Sequence, residues 1–307
     1  MRDAFIARLT EHAKADRDIV LVTGDLGFGV LTDFAKNYPE QFINAGVAEQ
    51  NMTGLATGLA LAGKTVFTYS IANFPILRCL EQIRNDAAYH DANVNVVAIG
   101  GGFSYGALGM SHHATEDLAI MRALPQVTVL SPGCLWETEE ITSALPKIPG
   151  ACYFRLDKSH AGRTGREGEK LEIGKARQLR EGSDVTLLTT GGILGEAIAC
   201  ADSLASKGVT CDLFSYHTIS PFDEQSMLSS LEKTGCLVTL EEHVLTGGLG
   251  SIAAEVCLDA SVYPKKSKRL GITGGYCSKV GDQNYLRGVY GLTAADVEAS
   301  ILQTLKG

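Results

Sequence analysis

Three clusters of glycine and polar residues hold the side chains best suited to chemistry in this chain. They span residues 23–29, 44–52 and 100–117, and each follows a short apolar run that is typical of a strand. An open parallel sheet binds its ligands just beyond the carboxyl ends of its strands, so we expect the three clusters at such an edge. The first cluster lacks the Gly-Lys-Ser/Thr ending of a phosphate loop, and a tight glycine turn and a ligand loop stay equally open for it.

Glu49, in the second cluster, begins a helix in which residues 54, 56, 58, 60 and 62 are all Gly or Ala. A helix this slim is expected to pack closely on its surroundings, which places a carboxylate in an apolar setting. The helix dipole favours the ionised form by at most ~1 kcal/mol, whereas desolvation worth three pKa units disfavours it by about 4 kcal/mol. We therefore expect Glu49 to be protonated or hydrogen-bonded to a base, although a solvent-facing Glu49 stays open on these residues alone.

Two adjacent histidines, His112 and His113, lie in the third cluster on a glycine-rich loop. Neighbours in sequence point apart and no third ligand has the spacing of a zinc site, so we predict no metal here. An imidazole on such a loop is suited to proton transfer or to holding a substrate oxygen. The alternative is that both histidines only cap the helix that follows.

Composition limits the class of protein. The chain has 307 residues, 45% hydrophobic and 20% charged, which suits two domains with a core each. No apolar run approaches the roughly 20 residues of a membrane span, and the N-terminal residues lack a secretory pattern, so we expect a cytoplasmic protein without a membrane partner. The net charge of −8 argues against a nucleic-acid partner, and the basic run 265–269 is interpreted as a solvated strand edge. The eight cysteines are expected to be buried free thiols.

Short β-rich runs alternate with longer helical patterns along the whole chain, which predicts an α/β fold with mostly parallel sheets flanked by helices. The predicted strands are 19–23, 41–44, 64–69, 95–99, 127–130 and 152–155, then 184–189, 209–214, 236–240 and 269–272. The predicted helices are 3–14, 47–61, 77–90, 115–123, 135–145 and 294–305. The polar stretch 158–182 is interpreted as a linker between a domain at 1–157 and a smaller, independent domain at 183–307.

These clusters together resemble the transketolase family of thiamine-diphosphate enzymes, specifically its pyrimidine-binding and C-terminal domains. Gly46-Val47-Ala48-Glu49-Gln50 is similar to the family segment whose glutamate hydrogen-bonds N1′ of the aminopyrimidine ring. Phe74, in the segment Asn73-Phe74-Pro75-Ile76-Leu77-Arg78, resembles the aromatic residue that stacks on this ring. An ordinary core phenylalanine is the alternative for Phe74. The resemblance also implies that Arg78 lies beside the cofactor.

The resemblance extends to the substrate. His112, in Gly109-Met110-Ser111-His112, matches the family histidine that lies beside the thiazolium and the reacting oxygen, and His113 is the second candidate for substrate contact. Asp25 falls on the acidic residue of the entrance loop and is expected near the cofactor. Arg155 falls on an arginine that reaches substrate, with Arg2 as a second cation for one anionic group. Residues 216–223 and 241–251 resemble the C-terminal domain, whose role in the family is structural.

The chain contains nothing similar to the family's Gly-Asp-Gly motif, which binds the magnesium diphosphate. The resemblance therefore implies thiamine diphosphate as cofactor, with Mg²⁺ bound mainly by a separate N-terminal transketolase subunit in an α2β2 heterotetramer. The implied reaction moves a two-carbon ketol unit from a ketose donor to an aldehyde acceptor in carbohydrate metabolism. Ala107-Leu108 replaces an acidic pair that transketolases acting on sugar phosphates carry, which favours an unusual sugar or ketoacid-derived substrate.

Three alternatives remain at this stage. The chain could be the beta subunit of a 2-oxo-acid dehydrogenase, which has the same two-domain layout, although residues 122–125 and 217–219 favour transketolase. It could be a non-catalytic subunit of the same fold. A condensation of the deoxyxylulose-phosphate-synthase type is a third option.

Overall fold

The computed structural model describes residues 1–306 and contains two sheets. The first sheet has seven strands in the order β10-β5-β6-β4-β3-β1-β2, and all neighbours are parallel except β10 and β5. Its strands are β1 Ile19–Thr23, β2 Phe42–Asn44, β3 Thr65–Ile71, β4 Val94–Ile99, β5 Val127–Leu130, β6 Ala151–Leu156 and, from the second half of the chain, β10 Thr218–Ser220.

The second sheet has five strands in the order β12-β11-β8-β9-β7, parallel except for the pair β7 and β9. Its strands are β7 Arg177–Arg180, β8 Val185–Thr190, β9 Cys211–Ser215, β11 Cys236–Val244 and β12 Lys266–Ile272. Lys268 and Arg269 of β12 are exposed on an edge strand and Lys266 is half-buried, which confirms the solvated edge predicted there.

Helices cover both sheets. They are α1 Arg2–Ala15, α2 Thr32–Asn37, α3 Glu49–Leu61, α4 Phe74–Leu77, α5 Leu80–Gln82, a π-helix Ile83–Ala88, α6 Asp117–Arg122, α7 Leu135–Ala144, α8 Leu194–Ser206, α9 Glu224–Thr234, α10 Leu249–Asp259, α11 Gln283–Val289 and α12 Ala294–Lys306. No helix within residues 1–306 is both long and apolar enough to cross a membrane.

The predicted α/β class is confirmed. Strands such as β4 and β8 are buried along their whole length, as strands are in parallel sheets covered on both faces. The predicted strands therefore lie within four residues of the observed ones at each end. All eight cysteines are buried and free, as predicted.

The sequence prediction missed two short strands, β7 and β10. Both bear on how the two halves of the chain are connected. β7 lies inside the predicted linker. Its Arg177 is buried and forms ion pairs with Glu137 and Glu169. Because a charged residue interrupts an apolar run, the hydrophobic pattern did not predict this strand. β10 is only three residues long, yet it leaves the second half and pairs with β5 in the first sheet. The second half therefore contributes a strand to the first sheet, a contact that the prediction of an independent second domain did not include. The domain limits at 157 and 183 stay a prediction.

The topology brings the three clusters to one edge. Residues 24–31 follow β1, residues 45–48 follow β2 and residues 100–116 follow β4, and these three strands are parallel members of the first sheet. The carboxyl ends of parallel strands meet at the same edge of a sheet.

Candidate active site

Glu49 is the first residue of α3 and follows a turn in which Gly46 has a positive φ of 74°. The residue is only 5% exposed. Its Oε1 accepts a hydrogen bond of 2.8 Å from Nη1 of Arg78. Within the described residues Arg78 is the one hydrogen-bond donor to this carboxylate, so Oε2 is free for another donor. The charge of Glu49 is thus compensated by Arg78, which the resemblance placed beside the cofactor but not against Glu49.

Phe74 and Arg78 lie on and just after the short helix α4. The guanidinium carbon of Arg78 lies 4.4 Å from the centroid of the Phe74 ring, while its nitrogen donates to Glu49. The planar guanidinium of Arg78 therefore stacks on the phenylalanine ring and donates to the carboxylate at the same time. Phe74 and Glu49 thus present a stacking surface and a hydrogen-bond acceptor, the two kinds of group that an aminopyrimidine would need.

The histidine loop, residues 100–116, is closed at its base by paired backbone hydrogen bonds between Gly102 and Ala114. His112 is half-buried near its tip, in contact with Phe74 at 5.3 Å between ring centroids. Nδ1 of His112 lies 3.0 Å from Oγ of Ser111, which leaves Nε2 for another partner. The structure thus brings together Glu49, Phe74 and His112, which lie far apart in sequence.

His113 has a different environment from its neighbour. It is 3% exposed and packs edge-on against Phe103 at 5.2 Å, and burial lowers the pKa of its imidazole. Its side chain forms part of the floor of a groove of about 320 Å³, whose walls include Asn73, Arg78 and, from the second half of the chain, Tyr276. Of the two histidines, His112 is the one whose ring contacts Phe74.

Asp25 connects the first two clusters. It has a φ of 60°, and its Oδ1 accepts a 2.9 Å hydrogen bond from the side chain of Asn44. The Asn44 Oδ1 in turn accepts from the backbone N–H groups of Asp25 and Gly46, each at 3.0 Å. Asp25 therefore stabilises the turn that leads to Glu49, and a direct contact of Asp25 with cofactor stays a prediction.

Arg155 does not reach the surface, which corrects the expectation that it holds substrate. Its side chain is 1% exposed, and its Nε lies 2.9 Å from Oδ2 of Asp117. Its Nη2 donates to the backbone carbonyls of Ala114 and Glu242. Arg155 therefore holds the C-terminal end of the histidine loop, at Ala114, and has no exposed donor for a substrate anion.

Sequence reasoning missed Lys158 and Tyr105. The Nζ of Lys158 lies 3.9 Å from the centroid of the Tyr105 ring, and that ring lies 6.4 Å from the ring of His112. Together with the contacts of Phe74, these residues form a continuous line, which we call the aromatic row. It runs through Arg78, Phe74, His112, Tyr105 and Lys158. Lys158 stands three residues after Arg155, in the polar stretch interpreted as linker, and a lysine there carries no distinguishing sequence signal.

The end of the aromatic row at Lys158 opens into a pocket of about 310 Å³ lined also by Arg2, Asp157 and His160. Arg2 is paired with Asp3 at 2.8 Å. Among the described residues no carboxylate lies within ion-pair distance of the Lys158 ammonium, and burial followed by the charge of Arg2 lowers its pKa. A bound anion would relieve this repulsion between two neighbouring cations.

Comparison with known proteins gives the same outline. Residues 1–163 match the sequence model described as transketolase, pyrimidine binding domain, and residues 174–297 match transketolase, C-terminal domain. A 6-deoxy-6-sulfo-D-fructose transketolase subunit, SqwH, of Clostridium sp. (strain MSTE9) is 38% identical, and the alignment covers 97% of this chain and 92% of that protein. An apulose-4-phosphate transketolase subunit of Phocaeicola vulgatus is 37% identical, over 83% of this chain and 82% of that one.

Among solved structures, a split gene transketolase described as an inactive beta4 tetramer superposes with a TM-score of 0.90 at 35% identity, covering 99% of this chain and 98% of that one. A Pichia stipitis transketolase shares the fold at 19% identity, with a TM-score of 0.80, and this chain spans 45% of it. The chain therefore belongs to the transketolase family and corresponds to its C-terminal section.

Proposed function

We propose that this chain is the C-terminal subunit of a split transketolase, which transfers a two-carbon ketol unit from a ketose to an aldehyde with thiamine diphosphate as cofactor. The observation that carries the proposal is a chain of contacts beside the groove: Arg78 donates to Glu49 and stacks on Phe74, and the Phe74 ring contacts His112. One carboxylate oxygen of Glu49 and Nε2 of His112 have no hydrogen-bond partner among the described residues. Family membership supports the reaction class, because the two relatives are named as transketolase subunits.

Glu49 and Phe74 hold the aminopyrimidine in this proposal. Glu49 would hold a proton of the ring through Oε2, while Arg78 donates to Oε1 and keeps the carboxylate oriented. Phe74 supplies the stacking surface. Thiamine diphosphate, when bound, supplies a nucleophilic carbon and an electron sink for the bond cleavage.

His112 acts on the substrate. Its ring contacts Phe74, and its Nε2 has no hydrogen-bond partner among the described residues, so it is free to hold or move a proton at the reacting oxygen of the ketose. His113 below it, neutral through its lowered pKa, supports the loop.

The pocket at Lys158 holds the anionic end of the substrate in this proposal. The aromatic row leads from the cofactor side at Phe74 to Lys158 and Arg2, the two cations at its other end. The names of the two relatives mention a sulfonated and a phosphorylated sugar, so both kinds of anion are candidates for this pocket. A flexible lysine suits a monovalent sulfonate as well as a phosphate, since it acts as a point charge.

A separate N-terminal subunit completes the site. Large apolar side chains of the groove lining and of the loops that follow β1, β2 and β4 are exposed, as a surface for a partner would be. They are Phe28, Val47, Leu77, Leu108 and Met110. The partner contributes the diphosphate site with Mg²⁺, in a cytoplasmic α2β2 heterotetramer. The domain division at residues 157 and 183 belongs to the same proposal.

The test is reconstitution. The chain is co-expressed with its N-terminal partner, supplied with thiamine diphosphate and Mg²⁺, and assayed with phosphorylated, sulfonated and uncharged ketoses plus an aldehyde acceptor. We expect transfer with an anionic ketose, and none with either subunit alone. Oxidation of a 2-oxo acid by an artificial electron acceptor, without ketol transfer, would identify a dehydrogenase subunit instead. The absence of both reactions would identify a non-catalytic subunit.

A further inference from the structure

Glu242, in β11 of the second sheet, reaches across to the base of the histidine loop in the first half. Its Oε1 accepts a 2.6 Å hydrogen bond from the backbone N–H of Phe103 and a 2.8 Å hydrogen bond from the side chain of Gln283. Its Oε2 accepts from Nε of Arg287. The carboxylate is 1% exposed, so three donors from two regions of the chain saturate a fully buried charge.

The backbone of the histidine loop passes close to this carboxylate. Gly102 has a φ of 59°, and a Cβ at this position would collide with the Glu242 side chain. Gly102 is also the residue that pairs with Ala114 to close the loop. Glu242 therefore contacts the place where the two ends of the loop meet, rather than the loop tip.

Beyond its base the loop is held at Ser104, whose Oγ donates to Asp157 at 2.5 Å and accepts from the backbone N–H of Lys158. Residues 106–108 and 110–112 form two single turns of 3₁₀ helix, and much of this segment is exposed. Asn73, in the first half, donates to the carbonyls of Ser111 and His113. Toward the tip, the backbone contact with the second half is a 3.4 Å hydrogen bond from Gly281 to Gly106. The position of His112 thus depends on Asn73, on the contacts of Ser104 and Gly106, and on how firmly the base is held.

We infer that Glu242 is a positioning residue, through which the second half of the chain sets the location of His112 in the active site. The inference rests on the proposed function of His112 as a substrate contact. The mechanism is electrostatic and geometric: Arg287 and Gln283 fix the carboxylate, and the carboxylate fixes the N–H of Phe103, nine residues before His112. A second domain described as structural in this family would then act on turnover.

The experiment is a double-mutant cycle in the reconstituted complex. Glu242→Gln and His112→Ala are made singly and together, and kcat and KM for the ketose donor are measured for each. Glu137→Gln is the matched control, because Glu137 is also fully buried and paired with an arginine at 2.6 Å, but it has no contact with the histidine loop.

We expect Glu242→Gln to lower kcat about tenfold, because a small displacement of a catalytic group is costly, and to leave the KM of the donor within twofold. In the His112→Ala background the same substitution should lower kcat less than twofold, because the group it positions is gone. Glu137→Gln should leave kcat unchanged in both backgrounds. An equal tenfold loss from Glu242→Gln with and without His112 would overturn the inference.

Hydrogen exchange gives a readout that does not require activity. Amides of residues 104–113 should exchange at least several-fold faster in Glu242→Gln, and in the milder variant Gln283→Ala if Glu242→Gln does not fold, but not in Glu137→Gln. Unchanged exchange in this loop would refute the inference while leaving the proposed function intact. Full activity of His112→Ala would refute the role of His112, and faster loop exchange in Glu242→Gln would still support the anchoring.

Discussion

Two glutamate–arginine pairs in this chain have similar chemistry and opposite surroundings. In the groove, Arg78 bonds Glu49 at 2.8 Å and stacks on Phe74 at 4.4 Å. At the junction between the two halves, Arg177 bonds Glu137 at 2.6 Å and stacks on Trp136 at 4.3 Å. The arginine side chain is 52% exposed in the groove and 5% exposed at the junction.

The two pairs differ in how many oxygens of the carboxylate remain without a hydrogen-bond donor. Both oxygens of Glu137 are occupied, by Arg177 and by the backbone N–H of Gly133, and Arg177 is further bound by Glu169 and Thr164. Glu49 keeps one oxygen without a donor, next to Arg78, which lines the groove. Saturated pairs hold structure, whereas a buried charge with one unused acceptor is equipped to bind a ligand. Four predictions test whether this distinction holds.

The largest effect is expected in the groove. Glu49→Gln should lower kcat of the reconstituted complex by about 10²–10³-fold, because an amide cannot hold the proton at N1′, and should change the unfolding free energy little. Steady-state transfer assays and urea unfolding measure the two quantities. Glu139→Gln is the control, since Glu139 is also paired with a half-exposed arginine, Arg163. If Glu49→Gln retained full kcat, the groove would not be the active site.

The junction should show the opposite pattern. Glu137→Gln should lower the free energy of unfolding by about 3 kcal/mol, because Arg177 loses a buried counter-charge, and should leave kcat of the folded complex unchanged. Urea unfolding at neutral pH measures the loss. The exposed pair of Arg180 and Asp202 provides the control, and Asp202→Asn should change stability by less than about 0.5 kcal/mol. Equal stability losses from both variants would contradict the distinction.

Lys158 extends the comparison to a cation with no acidic partner. Lys158→Met should raise the KM for an anionic ketose about tenfold and leave the KM for an uncharged ketose unchanged, because one charge-assisted contact is removed. Lys233→Met is the control, since the Lys233 ammonium is already paired with Asp212 at 2.6 Å. A similar rise for both ketoses would show that Lys158 does not contact the anion.

The smallest effect concerns pH at the junction. Burial lowers the pKa of His217 in the folded protein. The same histidine in the unfolded chain takes up a proton near pH 6.5, so the unfolded chain binds more protons in this pH range. Stability should therefore fall as pH drops below that value, by at most about 1.4 kcal/mol per pH unit for this group. Urea unfolding between pH 7.5 and 5.5 should show a shallower loss in His217→Asn than in the unaltered protein. The pKa of Glu241, raised by burial to about 7, acts with the opposite sign but is common to both proteins.

Much of the fold was predictable because buried parallel strands are continuous apolar runs, and Glu49, Phe74 and His112 were found because local motifs surround them. Their convergence is a property of strand order, which brings the ends of β1, β2 and β4 to one edge.

The remaining features depend on contacts between residues distant in sequence. Arg155 has the motif of a substrate ligand, yet Asp117 and two carbonyls from other elements bury it. Lys158 acquires its position from Tyr105, and Glu49 acquires its counter-charge from Arg78, 29 residues away. No local pattern encodes these partners. The three-residue strand β10 is likewise too short to stand out in a hydrophobic profile.

That short strand limits where the polypeptide can be divided. β10 covers the outer side of β5, so a first half ending within residues 158–182 would present an unpaired β5 at the edge of its sheet. Bare edge strands recruit other chains and promote aggregation. Cleavage of this exposed connection would therefore leave the first fragment without β10, and the second fragment without the strand β5 that β10 pairs with.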